Sequence, residues 1–438
     1  MVHELLPEEL LCPCCQKPRE KISEEVSEQL EYVPASLFVI EHVRWTYACK
    51  GCEGHVATAS KPLQPIEKGL AGSGLLAHVI TSKYADHLPL HRMERILRRH
   101  GVDIARSTMC DWMAQCATLL NPLYELMKRR VLESPVVHTD DTPVPVQDRS
   151  KTRTRQGRIW TYIGDYAHPY TVFDYTPTHC REGPATFLGG YHGYLQADAY
   201  SGYDHLFKAK GDGVPVPTEV GCWAHTRRKF FESQETDPAR ANVAMAMIRL
   251  LYDVEREAKE CAAAQLEQRL DELPASDQLL DPAQRDALYW QPLVDARHAL
   301  RQQKSVSQLD DIKHWLGEEQ LRVLPKSPIG RAIGYALSNW TALRRYTEDG
   351  RLNIDNNPAE NALRSIVLGR RNWLFAGSDR GGRTAATLCS FIASCRRHEL
   401  DPFAYLRDVL TRIAACPINE IDQFLPDCWR ATHIPAEA

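Results

Sequence analysis

Asp140, Asp198 and Glu360 are the residues whose types and settings point most directly to chemistry. Residues 134–142 (SPVVHTDDT) are expected to form a short buried strand ending in two carboxylates, and residues 193–200 (GYLQADAY) another ending in one. A carboxylate at the end of a buried strand is costly unless a cation meets it, and two such ends on adjacent strands can chelate a divalent metal. A third carboxylate is expected from residues 353–364 (NIDNNPAENALR), where Pro358 suits the first helical position and Glu360 the first turn. If that helix packs beside the strands, the three carboxylates would hold two Mg2+ ions, with Mn2+ as a substitute, about 4 Å apart. Such a pair activates an attacking oxygen and stabilises a leaving one at phosphorus. Plainer roles compete: Asp closes turns at strand ends, Glu360 complements a helix dipole, and Asp355 is the main rival for the third position.

Four cysteines form a second constellation. Cys12 and Cys15 make one C-x2-C, and Cys49 and Cys52 make another. A reducing compartment disfavours disulfides, and two close pairs at tight turns bring four thiolates around a tetrahedral zinc. The 33 residues between the pairs exceed the common spacing of about 15 to 20, so a hairpin-like insertion is expected around residues 37–40 (LFVI) and 43–47 (VRWTY). Cys14 and His55 are neighbouring ligand candidates, although a single His beside a zinc site is more often a bystander. With four protein ligands the zinc is structural and keeps no open position for chemistry.

The elements that must position these groups follow from pattern. Residues 158–163 (RIWTYI) and 170–175 (YTVFDY) are further strand-like runs, which together predict a mixed sheet. Ahead of them, residues 72–132 read as several short helices. Leu90, Met93, Ile96 and Leu97 share one face of a helix stopped by Gly101. A turn through Val102 and Ile104 then leads to Ser107 or Thr108 as N-cap of the next helix, with Met109, Trp112, Met113 and Cys116 facing inward. This predicts a helix-turn-helix that meets DNA through Arg106, Ser107 and Thr108, an ordinary helical hairpin being the alternative. The stretch between Asp198 and Glu360 is too long for one crossover, and residues 232–348 are acidic and helix-forming, so an inserted helical subdomain is expected.

Charge is small overall and uneven in detail. The 438 residues carry 53 Lys plus Arg against 57 Asp plus Glu, a formal net charge of −4. Residues 232–319 hold 18 acids and 10 bases, whereas residues 361–397 hold 7 Arg and one acid, Asp379. The first block repels DNA and the second can grip it, with Arg364, Arg370 and Arg371 as phosphate contacts. Arg227, Arg228 and Lys229 are further phosphate contacts, and a second basic block spans residues 83–130. The 43% hydrophobic content excludes wholesale disorder, and the length allows roughly two to four domains. No stretch approaches the roughly 18 consecutive apolar residues of a membrane helix, and the opening MVHELLPEEL has no basic or apolar signal region. A cytoplasmic protein without membrane contact is expected.

The runs HTDDTPVPV, LQADAYSGY, GCWAHTRRKFFE, DNNPAENALR and GRRNWLFAGSDRGG, with the CPCC and CKGC elements, resemble the large DDE transposase of the bacterial insertion-sequence sixty-six family over almost the whole chain. The resemblance implies an α/β multidomain protein with a ribonuclease-H-like catalytic core, interrupted by a helical insertion and preceded by a zinc ribbon and a helix-turn-helix region. It implies Asp140, Asp198 and Glu360 as catalytic triad and magnesium ligands. The expected domains are a zinc-ribbon-like element (1–62), a helical DNA-binding region (63–133), a first core part (134–231), a helical insertion (232–349), a second core part (350–400) and a helical C-terminal segment (401–438). The implied activity is Mg2+-dependent cutting at the ends of an insertion sequence and joining of 3′ hydroxyls to target DNA. The alternatives are a catalytically silent or partner-dependent DNA-binding regulatory derivative, and a general nuclease of the same fold. Implied partners are DNA, further copies of the chain in a homo-oligomer, and small accessory proteins of the same element. Two departures from the family pattern matter. The usual D-E-T is Asp140-Asp141-Thr142 here, which keeps Asp141 as a minor rival, and relatives begin with a longer N-terminal region that bears on dimerisation and end recognition. Cys222 and His225 match a C-x2-H feature of several DDE groups and are expected to be structural or substrate-facing ahead of metal-binding.

Overall fold

The structure, a computed structural model, describes residues 13–19, 21, 23, 36–49, 51, 55–148, 150, 152–208, 215–272, 280 and 282–433. It divides into two compact units, Met1–Ala59 and Ser60–Ala438. In the first, β1 (Thr46–Tyr47) pairs antiparallel with β2 (Ala57–Thr58). The hydroxyls of the cross-strand pair Thr46 and Thr58 lie 2.9 Å apart, and Arg44 Nε donates to the Ala59 carbonyl at 2.6 Å. A hairpin within residues 37–47 does not form: among the described residues 37–40 belong to no strand. The partner of Thr46–Tyr47 instead follows Cys49, because the chain reverses there and returns antiparallel to the strand it has just left.

The second unit begins with four helices, α1 (Ser73–Tyr84), α2 (Leu90–Arg99), α3 (Arg106–Leu119) and α4 (Asn121–Glu133). The apolar residues spaced at three and four become the packed faces: Leu90, Met93 and Leu97 of α2 and Met109, Trp112, Met113 and Cys116 of α3 are buried. Gly101 turns the chain between α2 and α3 at φ +80°, where a Cβ would be strained. The expected Ser107 or Thr108 cap is not used. Ile104 is buried, and the helix starts as soon as the chain re-emerges, with Ala105 at the N-cap and Ser107 and Thr108 exposed in its first turn.

The sheet that follows has the order β5-β4-β3-β6-β7. Its strands are β3 (Val136–Val146), β4 (Arg155–Ile163), β5 (Thr171–Thr176), β6 (Tyr194–Gln196) and β7 (Thr218–Val220), with a short helix α5 (Glu182–Phe187) before β6. β3–β4 and β4–β5 are antiparallel, and β3–β6 and β6–β7 are parallel. β3 does not end at its carboxylates as expected, because β4 pairs with it from His138 as far as Val146. β6 pairs with only Val136, Val137 and His138. Pro143 and Pro145, which lack an N–H, fall in the stretch that β6 leaves uncovered, where no ladder bond is lost.

Helices fill the rest of the chain. α6 (Trp223–Glu232), α7 (Pro238–Asp271), α8 (Pro282–Leu300), α9 (Val306–Gln320), α10 (Pro328–Ser338) and α11 (Trp340–Arg344) lie between β7 and the segment that carries Glu360. They share a core with the sheet, in which Ile248, Leu316 and Ile333 join Val136 and Val220. α12 (Asn357–Trp373), α13 (Asp379–Arg397), α14 (Pro402–Arg412) and α15 (Pro426–His433) complete the unit. On α13, Ser390 and Ser394 Oγ accept the backbone N–H groups of Phe173 and Thr171, fastening that helix to edge strand β5. Among the described residues no helix is long and apolar enough to cross a membrane.

One buried ion pair ties the inserted helices to the Glu360 segment. Between α8 and α9 a single π-helical turn, Arg301–Ser305, turns Arg301 fully inward. Its guanidinium donates to Glu255 of α7 at 2.6 and 2.8 Å and to the carbonyls of Tyr346, Asp349 and Leu352. In the segment between Asp349 and Leu352 that Arg301 grips, a Cβ on Gly350 would lie 1.9 Å from the Val294 carbonyl oxygen, so only glycine fits against α8 there. Removing one partner of a buried pair strands the other charge, at about 3–5 kcal/mol. Arg297 Nε, 3.4 Å from Glu255, compensates in part. Arg301→Met is therefore expected to lower stability by about 3 kcal/mol in urea denaturation, and Glu255→Leu added to it to recover part of that loss. A change under about 0.5 kcal/mol would show that the pair does not hold the turn.

Candidate active site

Asp140 stands two residues beyond His138, the last residue of β3 paired to β6, and Asp198 stands two residues beyond Gln196, the partner of His138. Both carboxylates thus sit at the level where β3 runs on and β6 has stopped. Glu360 comes from the first turn of α12, and that helix packs along the uncovered edge of β3. Arg370, further along α12, donates to Thr142 Oγ1 at 3.3 Å and to the Pro143 carbonyl, which fixes the helix against the strand.

The segment before α12 is bound to the sheet by buried polar groups. Asn356, fully buried, donates from Nδ2 to the Thr139 carbonyl at 2.8 Å, and its Oδ1 lies 3.1 Å from His138 Nδ1. The Asn353 amide donates to His138 Nε2 at 3.2 Å, which makes Nε2 the acceptor and Nδ1 the ring nitrogen that carries the proton. Burial holds this imidazole down to about 4, so it is neutral. Gln196 at the end of β6 donates to the Asn353 carbonyl at 2.6 Å and accepts the Asn353 N–H at 3.3 Å. The Asn356 N–H is received by Cys222 Sγ at 3.2 Å, and burial pushes that thiol up to about 11.

Electrostatics separate the acidic rivals. Successive strand residues face opposite sides, although the Asp141 carboxylate still raises both Asp140 and Asp198. Asp141 accepts Arg158 Nη1 at 2.8 Å and lies 3.0 Å from His179 Nε2. His179 is itself stacked on Tyr200, with centroids 4.2 Å apart. Asp140 accepts its neighbour's N–H at 2.7 Å. Burial, with the carboxylates of Asp198, Asp141 and Glu360, pushes Asp140 up to about 7 against that hydrogen bond. Burial also raises Asp198, with His225 pulling the other way. Asp355 is engaged by the Asn357 N–H (3.2 Å), the Asn357 amide (2.9 Å) and the Tyr252 hydroxyl (3.1 Å), so it closes the turn into α12. Glu360 Oε1, by contrast, is buried without a hydrogen-bond partner, and Oε2 lies 3.9 Å from Arg228.

The arrangement is three half-buried carboxylates from three distant stretches of chain, one on β3, one just past β6 and one on α12, with the Arg228 guanidinium 3.9 Å from Glu360. Residues 68–384 match the sequence pattern described as the Transposase IS66 family. The chain belongs to that family. Residues 9–53 match the zinc-finger binding domain of transposase IS66 and residues 390–426 the IS66 C-terminal element. Three proteins of Sinorhizobium fredii (strain NBRC 101917 / NGR234), each named as an uncharacterized protein, are similar over nearly all of this chain. They are y4hP (35% identical, covering 96% of this chain and 73% of its own), y4jD (30%, 98% and 80%) and y4qI (33%, 97% and 75%).

The remaining sequence-derived IS66 site residues fall into three groups. Arg106, Ser107 and Thr108 are exposed together at the start of α3, and Arg227, Arg228, Arg364 and Arg371 are exposed on α6 and α12. Lys229 and Arg370 have structural partners instead: Lys229 Nζ lies 4.5 Å from the Tyr335 ring centroid, and Arg370 is tied to β3. Of the zinc candidates, Cys15 and Cys49 are exposed, while Cys12 and Cys52 lie outside the described residues. Sequence reasoning missed His138, Gln196, Asn353 and Asn356 as positioning residues, and His179 as the partner of Asp141. The Asn-rich DNN run was a usable signal, whereas His179 carried none. Asn356→Ala leaves buried polar groups of β3 unpaired and is expected to lower stability by about 3 kcal/mol in guanidinium unfolding. Arg364→Ala, an exposed change on the same helix, is expected to stay within about 0.5 kcal/mol. Equal effects of the two would show that the network does not fix the loop.

Proposed function

We propose that the chain is a DDE transposase that cuts DNA at the ends of an insertion sequence and joins the freed 3′ hydroxyls to target DNA. What supports this is that Asp140 and Asp198 each stand two residues beyond a paired position of β3 and β6, and that the carboxylates of Asp198 and Glu360 both act on Asp140. The strand order, two antiparallel neighbours on one side of β3 and two parallel strands on the other, supports a ribonuclease-H-like core.

The residues suit divalent cations. Glu360 Oε1 is buried and unpartnered, and Asp140 is held up by burial and, after it, by its acidic neighbours. The Arg158 guanidinium is engaged by Asp141. Asp140 and Asp198 would hold the ions from the sheet and Glu360 from α12. Two Mg2+ ions, or Mn2+ in their place, supply when bound the activation of an attacking oxygen and the stabilisation of a leaving one. The nucleophiles are water and then a DNA hydroxyl, with no covalent protein intermediate.

The protein's own contribution is positioning. Arg228 of α6 lies 3.9 Å from Glu360, and it and the exposed Arg227 of α6 and Arg364 and Arg371 of α12 would seat backbone phosphates, which fix register without reading sequence. Arg106, Ser107 and Thr108 present a helix start to DNA. Cys12, Cys15, Cys49 and Cys52, within the stretch that matches a zinc-finger domain, support a structural zinc. A homo-oligomer pairing two element ends in the cytoplasm, with small accessory proteins, completes the proposal.

The test is nicking and strand transfer on a plasmid carrying the element's ends, with Mg2+ or Mn2+. Asp198→Asn is expected to abolish both steps, a loss of at least about 1,000-fold, while end binding stays within about threefold. Full strand transfer by Asp198→Asn would overturn the proposal. Cuts in DNA lacking the ends would indicate a general nuclease, and tight end binding without cutting a regulatory protein.

A further inference from the structure

His225 is the one imidazole beside Glu360 that none of the foregoing uses. It lies in the first turn of α6, three residues after Cys222, and its Nδ1 is 3.6 Å from Glu360 Oε1. That separation is too long for a hydrogen bond. Both atoms are buried, and neither has a hydrogen-bond partner. Buried polar atoms are nearly always paired, so two facing orphans need an account.

An ion pair accounts for them poorly. An imidazolium paired with this carboxylate would close to hydrogen-bond distance, and 3.6 Å lies beyond it. Two donors bonded to one ion, each at about 2.0–2.2 Å, naturally lie about 3–3.6 Å apart. Cys222, Glu360 and His225 form the cluster of potential metal ligands found among the described residues, their donor atoms all within 4.8 Å of one another. Cys222 Sγ already receives the Asn356 N–H, so it serves the loop and leaves one nitrogen and one oxygen aimed at the same point.

We propose that His225 is a nitrogen ligand to the divalent ion held by Glu360, and that this makes the centre prefer Mn2+ to Mg2+. The inference rests on the three-carboxylate site proposed above and deepens it by naming a further ligand and the metal class selected. Mg2+ demands oxygen ligands and sheds water reluctantly, whereas an imidazole nitrogen suits a first-row transition ion. His225 Nδ1 supplies that nitrogen from the first turn of α6.

The experiment uses the full chain with Mn2+ alone, read by pulsed electron paramagnetic resonance and by titration of the free-ion signal, with Mg2+ affinity from calorimetry. Bound Mn2+ is expected to show coupling to an imidazole nitrogen. His225→Gln is expected to remove that coupling and weaken Mn2+ binding at least about tenfold, while Mg2+ binding moves by no more than about threefold. The thermal midpoint is recorded in parallel, and His225→Asn replaces His225→Gln where the latter unfolds. Mn2+ that is lost in Asp198→Asn but shows no nitrogen coupling would overturn the role of His225 and leave the carboxylate site standing. Coupling that survives His225→Gln would likewise overturn it. Coupling lost in His225→Gln and Glu360→Gln but kept in Asp198→Asn would uphold the His225 ligand and contradict the three-carboxylate site. Binding indifferent to all these substitutions would overturn both.

Discussion

Asn356 is wholly buried, and each end of its side-chain amide is held: the oxygen by His138, the nitrogen by the Thr139 carbonyl, while its backbone N–H goes to Cys222. Everything at the carboxylate site depends on that constraint. An amide held in low dielectric tolerates little displacement, because each bond lost strands a desolvated group at about 1–3 kcal/mol. Four residues further on, Glu360 inherits this rigidity through the first turn of α12. The helix start is therefore located relative to β3 by the residue that flanks Asp140.

The inserted helices contribute to the same end. A long excursion between Asp198 and Glu360 would by itself leave the returning segment poorly located. Arg301 counters this from the π-helical turn by gripping three carbonyls of residues 346–352 while its charge is neutralised by Glu255. The shared core of α6, α7, α9 and α10 with Val136 and Val220 ties the excursion to the sheet that carries Asp140 and Asp198. A cavity of about 1090 Å3 opens between α6, α7 and the start of α12, lined by Arg227, Arg228 and Arg249. Asp253 and Asp355 line the same cavity, so its wall carries both signs of charge.

Much of this was legible in the sequence, for identifiable reasons. Periodicity placed the buried faces of α2 and α3, because one apolar stripe decides a helix's orientation. The runs ending near Asp140 and Asp198 were recognisable as strands because β-branched and aromatic residues cluster there. Strand lengths were not legible: β3 continues through Asp140 to Val146 because β4 supplies a partner, a tertiary fact that local pattern does not contain. β7 was missed, being three residues long and paired in the sheet with β6 alone among the described strands. Among the site residues, spacing alone left Asp141 and Asp355 as rivals. Their side chains turn out to be saturated by Arg158, His179, Asn357 and Tyr252, which no spacing rule could show. His138 reads in sequence as an apolar-strand histidine, and its two Asn partners lie more than 200 residues away.

The central claim is that the Asn356 anchorage brings Glu360 into one metal centre with Asp140 and Asp198. Crystals of the full chain soaked in Mn2+ and measured at the manganese absorption edge test it most directly. The account predicts an anomalous peak bonded to oxygens of Asp140 and at least one other of the three, with Glu360 completing the set of ligands. A peak bonded to Asp141 or Asp355 in place of Asp140 or Glu360, or no peak at these carboxylates, would contradict it.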